Sequence, residues 1–160
     1  MSGKVCVFGS FNFDMVARVD RFPVPGESLV ACGSMTSAGG KGANQATAAL
    51  KAGANVHYIG KIGNDTFGHF ARRHLKGVGF NAVTLLVAEE IPTGNALIYV
   101  AGNDAENMIA VDPGANMTVT DDERIVCHAQ QQVLQCVGVH ASVPFACCSF
   151  LNASTLLRTM

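Results

Sequence analysis

The chain has 160 residues and a mass of 16.7 kDa, a formal charge of −1 and a mean hydropathy of +0.27. With 49% hydrophobic and 14% charged residues it is not a disordered acidic or basic tail, and its length suits one domain or part of a larger one. Lys and Arg are scattered singly apart from Arg72-Arg73, so neither nucleic acid nor an anionic membrane is an expected partner.

In chain order, Lys4 to Phe8 is a short apolar run stopped by Gly9-Ser10 and reads as a buried strand. Residues 15–20 alternate weakly, Pro23-Val24-Pro25-Gly26 turns the chain, and Ser28 to Ser37 is predicted to return as a second strand. Gly40-Lys41 opens a predicted helix with Ala43, Ala46, Ala49 and Leu50 on one side and Gly53 at its end. Val56 to Ile62 is a predicted strand. Asn64-Asp65 then starts a helix over Thr66 to Val78, with Phe67, Phe70, Ala71 and Leu75 apolar and Gly79 as its stop. Val83 to Val87, Asn95 to Ala101 and Met108 to Val111 are further strands, the last two joined by a hairpin-like turn over 102–107. Asp121-Asp122-Glu123 places acidic side chains at a helix start. This order predicts an α/β fold: a doubly wound, mainly parallel sheet flanked by helices, carrying a small antiparallel lid.

The composition shifts near residue 125. Of 23 charged side chains, 22 precede it and only Arg158 follows, and four of the six cysteines (6, 32, 127, 136, 147, 148) lie beyond it. Residues 1–125 are therefore read as the folded unit and 126–160 as a divergent or truncated tail. Gln132 to Leu151 is the most apolar window, but Gln135, His140 and Pro144 interrupt it, and no membrane span is expected. The opening residues hold too short an apolar run for a signal peptide, and no Cys spacing suggests a metal site or a disulfide framework. A cytoplasmic protein with free thiols is the expectation.

Several motif matches fail on context. Gly77-Val78-Gly79-Phe80-Asn81-Ala82 fits a dinucleotide fingerprint in spelling but closes a helix instead of opening one. Gly39-Gly40-Lys41-Gly42 lacks the first glycine and the Ser or Thr of a phosphate loop. The five histidines have no metal-ligand spacing.

Two stretches carry chemistry. Asn12 and Asp14 are two apart in an extended segment, so both side chains share a side. An amide that donates and accepts beside a carboxylate that only accepts matches sugar hydroxyls. In Gly39-Gly40-Lys41-Gly42-Ala43-Asn44 the glycines let backbone N–H groups approach a ligand at a helix start, and Asn44 adds a side-chain group one turn in.

Together, Gly9-Ser10-Phe11-Asn12-Phe13-Asp14, Phe22-Pro23-Val24-Pro25-Gly26-Glu27, Gly39 to Gln45, Gly60 to Gly68 and Asp112-Pro113-Gly114-Ala115-Asn116 resemble the amino-terminal half of the ribokinase-like carbohydrate kinases, the phosphofructokinase-B family. The resemblance covers about residues 4 to 124. It implies a kinase in which a sugar or nucleoside hydroxyl attacks the γ-phosphate of ATP with magnesium, a pentose such as D-ribose being the favoured acceptor and nucleoside or fructose-type acceptors the alternatives. By the same resemblance Asn12, Asp14, Gly40, Lys41, Gly42, Ala43 and Asn44 bind the sugar. Residues 15–37 and 93–111 supply the lid, which also serves as a homodimer contact. The family's Gly-Ala-Gly-Asp run, with its catalytic base, is not found in the sequence, and the resemblance, which stops near residue 124, implies that the family's Asn-x-x-Glu magnesium and phosphate segment is missing as well. No acidic sugar ligand follows the strand near Val133 to Val139. The chain is expected to carry the sugar site and lid of an incomplete ribokinase-like fold, without the ATP site or base.

Overall fold

Residues 4–102, 105–123 and the backbone of 136–139 are described by a computed structural model. Strand β1 (Lys4–Gly9) is flanked in parallel by β4 (Asn55–Gly63) and β8 (Cys136–Val139), and β4 pairs in parallel with β5 (Ala82–Ala88). The sheet order is β5-β4-β1-β8, an all-parallel sheet as the alternating pattern predicted.

Helices α1 (Lys41–Lys51) and α2 (Thr66–Val78) cover one face of this sheet. Ala43 and Ala46 of α1 and Ala71 and Leu75 of α2 pack with Val7, Val56, Tyr58 and Ile62 in one apolar core. The alternate residues Cys6 and Ile59 form a second cluster with Phe8 and Leu86. The small alanines let α1 lie close to β1. At its start, a β-carbon on Gly42 would fall 2.5 Å from the Gly9 carbonyl carbon. The predicted ends of α2 are observed: Asp65 Oδ1 accepts from the Gly68 N–H at 2.7 Å, and Gly79 closes the helix at φ +88°.

The lid is a second sheet of β2 (Asn12–Val19), β3 (Gly33–Gly39), β6 (Asn95–Ala101) and β7 (Glu106–Asp112), in the order β3-β2-β6-β7. Three expectations are corrected here. First, the lid is mixed, because its central pair β2 and β6 runs parallel while the outer pairs run antiparallel. Second, β2 begins at Asn12 and not at Met15, because Gly39 extends the ladder to pair with Asn12. Third, residues 28–32 are not strand. The β2–β3 register ends at Arg18 opposite Gly33, so this stretch has no strand to pair with, and Val30 is 87% exposed. Part of the predicted 102–107 turn lies outside the described residues, but β6 and β7 meet with Ala101 opposite Glu106.

One aromatic contact attaches the lid to the helices, and local bonds order two of the loops. Phe13 of β2 stacks on Phe67 at 4.3 Å and meets Phe70 edge-on at 4.9 Å, fixing the base of the lid to α2. In the Phe22–Glu27 turn, Glu27 pairs with Arg21 and accepts from the Val24 N–H, and the Arg21 guanidinium holds its carboxyl down at about 2. After a 3₁₀ turn over Gly114–Thr118, Thr120 and Glu123 exchange bonds: Thr120 N–H to Glu123 Oε2 at 2.9 Å and Glu123 N–H to Thr120 Oγ1 at 3.3 Å. This reciprocal cap opens the helical residues 121–123, where the acidic run predicted a start. Among the described residues, no helix is long and apolar enough to cross a membrane.

Candidate functional site

The site is built on the elbow between β1 and β2, where the chain leaves the parallel sheet and enters the lid. Four groups hold the elbow. The buried Tyr58 hydroxyl donates to Gly9 O at 2.9 Å, and burial pushes its phenol well above the usual range. The Ala43 N–H of α1 donates to Ser10 O at 3.1 Å. The Phe13 N–H donates to Gly94 O at 2.8 Å. Asn116 takes both polar groups of Phe11: its Oδ1 accepts from the Phe11 N–H at 3.2 Å and its Nδ2 donates to Phe11 O at 3.0 Å.

This framing sets Asn12 and Asp14 on one face of β2, opposite Gly39 and Ser37 of β3. Asp14 is half-buried, burial raises its carboxyl above the usual value, and among the described residues no donor reaches it. The carboxylate lies over Gly39, where a β-carbon would overlap it. The next residue, Gly40, has φ +95° and a space in which a β-carbon would fall 2.5 Å from Ser10 O, so both conformation and room require glycine. The glycine turn and the Asn-x-Asp pair are therefore brought together.

The other predicted residues divide in two. Lys41 and Asn44 are exposed on the first turn of α1. Gly42 and Ala43 are buried beneath the turn, and the Ala43 N–H is taken by Ser10 O. The Lys41 and Gly42 amides are ahead of it, where a helix start provides no helical acceptor.

Sequence reasoning missed the groups that position this pair. Asn116, noted only within the Asp112-Pro113-Gly114-Ala115-Asn116 stretch of the resemblance, shares its Nδ2 protons with Asn12 Oδ1 at 3.0 Å and Pro113 O at 2.9 Å as well. Thr93, fully buried, links Gly63 and Asp65: its Oγ1 accepts from the Gly63 N–H at 2.9 Å and donates to Asp65 Oδ1 at 2.7 Å. Burial raises the Asp65 carboxyl, but bonds from Thr93 Oγ1 and from the Gly68 and Thr93 N–H groups outweigh it and hold it below the usual range. Lys61, buried on β4, donates to Thr118 O at 2.8 Å and to both oxygens of Glu123 at 2.9 Å, fixing the end of the turn that carries Asn116. The available signal was a lysine between Gly60 and Ile62 in an apolar strand, which demands an acceptor.

The pfkB family of carbohydrate kinases matches residues 2–153. This chain belongs to that family. The match runs past residue 125, where the composition changes, and β8 takes its place beside β1 within that stretch. A pfkB-family relative, the ribokinase of Bacillus subtilis, is 34% identical over 141 residues, covering 88% of this chain and 47% of the relative. Among solved structures, the ribokinase of Giardia lamblia superposes with a TM-score of 0.76 at 33% identity, over 86% of this chain and 44% of that one. An Arabidopsis thaliana ribokinase solved with ribose and ATP superposes at 0.65 and 31% identity, over 79% and 42%. The chain thus spans about half the length of these pfkB-family relatives.

Proposed function

We propose that this chain carries the acceptor-sugar site and lid of an ATP-dependent kinase of ribokinase type, with a pentose such as D-ribose phosphorylated at its primary hydroxyl. The observation that carries this reading is the Asp14 carboxylate, half-buried, without a donor among the described residues and seated over Gly39 beside Asn12. An ionised carboxylate kept partly dry has a strong demand for hydroxyl donors. In this reading Asn12 and Asp14 grip sugar hydroxyls, Gly40, Lys41 and Asn44 line the pocket, and Gly42 and Ala43 shape its floor. ATP and magnesium belong to the family reaction. Among the described residues no three His, Cys, Asp or Glu side chains cluster to hold a metal, and the sequence has no Gly-Ala-Gly-Asp run, so no step through either is assigned to these residues. The purified chain is expected to show no ribose-dependent ATP consumption. An ATP-linked role and the free thiols expected from the cysteine spacing fit the cytoplasm.

Calorimetry with D-ribose, D-fructose and adenosine tests the reading. A hydrogen bond to a charged group is worth about 1.5–3 kcal/mol, so Asp14→Ala is expected to weaken ribose binding by about tenfold to a hundredfold. Equal ribose binding by the variant, or a preference for fructose or adenosine, overturns the assignment.

A second reading concerns the lid as a contact between two copies. Leu97, Tyr99 and Met108 share one lid face by register and are 51%, 40% and 53% exposed, and adjacent exposed apolar side chains of this kind mark a contact surface. Sedimentation is expected to show a dimer that Leu97→Glu dissociates; a monomer at all concentrations removes this reading.

A further inference from the structure

We infer that Asn116 is a positioning residue that sets the polarity of the Asn12 carboxamide, so that the site offers a donor at Asn12 and an acceptor at Asp14. The inference rests on the sugar-site reading and deepens it: of two hydroxyls on one sugar, one is read as an acceptor and the other as a donor.

The argument starts from atoms that can play only one role. Asn116 Nδ2 faces two backbone carbonyl oxygens, Phe11 O at 3.0 Å and Pro113 O at 2.9 Å, and these only accept. Its Oδ1 faces the Phe11 N–H at 3.2 Å, which only donates. The backbone therefore fixes which end of Asn116 is nitrogen. That nitrogen also lies 3.0 Å from the Asn12 side chain; its two protons serve three acceptors, so one N–H is shared, and because an amide nitrogen cannot accept, the atom facing it is Asn12 Oδ1. The Asn12 Nδ2 group, with no acceptor among the described residues, is left for a ligand. Gly94 makes the approach possible, since a β-carbon there would overlap Asn116 Nδ2 and lie 2.7 Å from Asn12 Oδ1. Two residues along the same face, the ionised Asp14 can only accept. Without Asn116, Asn12 could turn either end outward, and a hydroxyl could not be told from its reversed hydrogen-bonding partner.

The first test uses the ligand-free wild-type chain. Side-chain amide exchange by NMR is expected to be slowed for Asn116 by about tenfold or more relative to Asn12; the reverse order overturns the inference whether or not the chain binds sugar. The second test uses D-ribose analogues, deoxy and deoxyfluoro at each hydroxyl in turn. Fluorine accepts weakly and never donates. At one position the fluoro analogue is expected to bind better than the deoxy analogue, the Asn12 donor still having an acceptor; at another it binds worse, fluorine facing Asp14. Asn116→Asp presents only acceptors and reverses Asn12, so fluorine is then expected to bind worse than hydrogen at both positions. A purely structural Asn116 would lower thermal stability and leave the fluoro-against-deoxy pattern unchanged, which overturns the positioning role. If wild-type chain binds no ribose at all, the sugar reading fails, while the exchange measurement still decides the amide polarity.

Discussion

The Asp14 carboxylate lies over the α-carbon of Gly39, so close that a β-carbon there would overlap both of its oxygens. Gly39 is buried, and nothing but the missing side chain makes room for the acid. Gly39→Ala is therefore expected to force Asp14 out of its rotamer, at a cost of about 0.5–1.5 kcal/mol in stability. Ribose affinity should fall as far as in Asp14→Ala. Paired thermal melts and calorimetry check this; a Gly39→Ala variant that binds ribose normally would show that Asp14 acts elsewhere.

Asp14 also sets a pH dependence. Its carboxyl is raised by burial, so the ionised form costs the folded state something at neutral pH. For a raised acid the folded state gains relative stability as pH falls through the folded value, and the difference vanishes below the unfolded one. Asp14→Asn should therefore melt at or above the wild-type temperature at pH 7, with the gain disappearing near pH 3. Ribose binding should run the opposite way, weakening on acidification from a pH above the ordinary carboxylate range.

Thr93 and Asp65 carry the opposite sign. Thr93→Val removes the acceptor for the buried Gly63 N–H and one donor to Asp65, and an unmet buried group costs about 1–3 kcal/mol. Because these bonds hold the Asp65 carboxyl below its usual value, their stabilisation is present above the unfolded value and lost as pH falls through the folded one. Denaturant melts from pH 7 to pH 2 should show the gap between wild type and Thr93→Val narrowing at the acid end to the pH-independent share left by the Gly63 N–H.

Removing one partner of the Lys61–Glu123 pair should cost more than removing both. Glu123→Gln leaves the buried ammonium with Thr118 O and a neutral amide, an expected loss of about 1.5–3 kcal/mol. The double variant Lys61→Met/Glu123→Leu removes the charge as well and should recover much of that loss. Urea unfolding of the three chains makes the comparison, and equal stability of wild type and Glu123→Gln would count against it.

Much of this architecture could be read from local chemistry. Asp65 as a cap, Gly79 as a stop and the alanine stripe of α1 are decided within a few residues of chain, and the structure places them as expected. The joining of Asn12, Asp14 and Gly39 was legible because one strand and one glycine run carry all three. Pairings across long separations were not. Asn116 meets Asn12 across 104 residues, and nothing near either residue names the other. The start of β3 was misjudged for a related reason: Ser28 to Cys32 has strand-like composition, but a strand exists only where its neighbour still runs, and β2 ends at Val19.

The strand that presents Asn12 and Asp14 is also an inner strand of the lid, with Phe13 between them clamped on α2. If the lid swings, the ring clamp at Phe13 is the point about which this strand would turn. Val19 lies five residues beyond Asp14, about 17 Å at the rise of a strand, so a small swing at the far end turns the carboxylate through the same angle. Grip and cover would then move together, and a reporter attached at the exposed Cys32, whose N–H is held by Arg18 O at that far end, is expected to respond when a ligand engages Asp14.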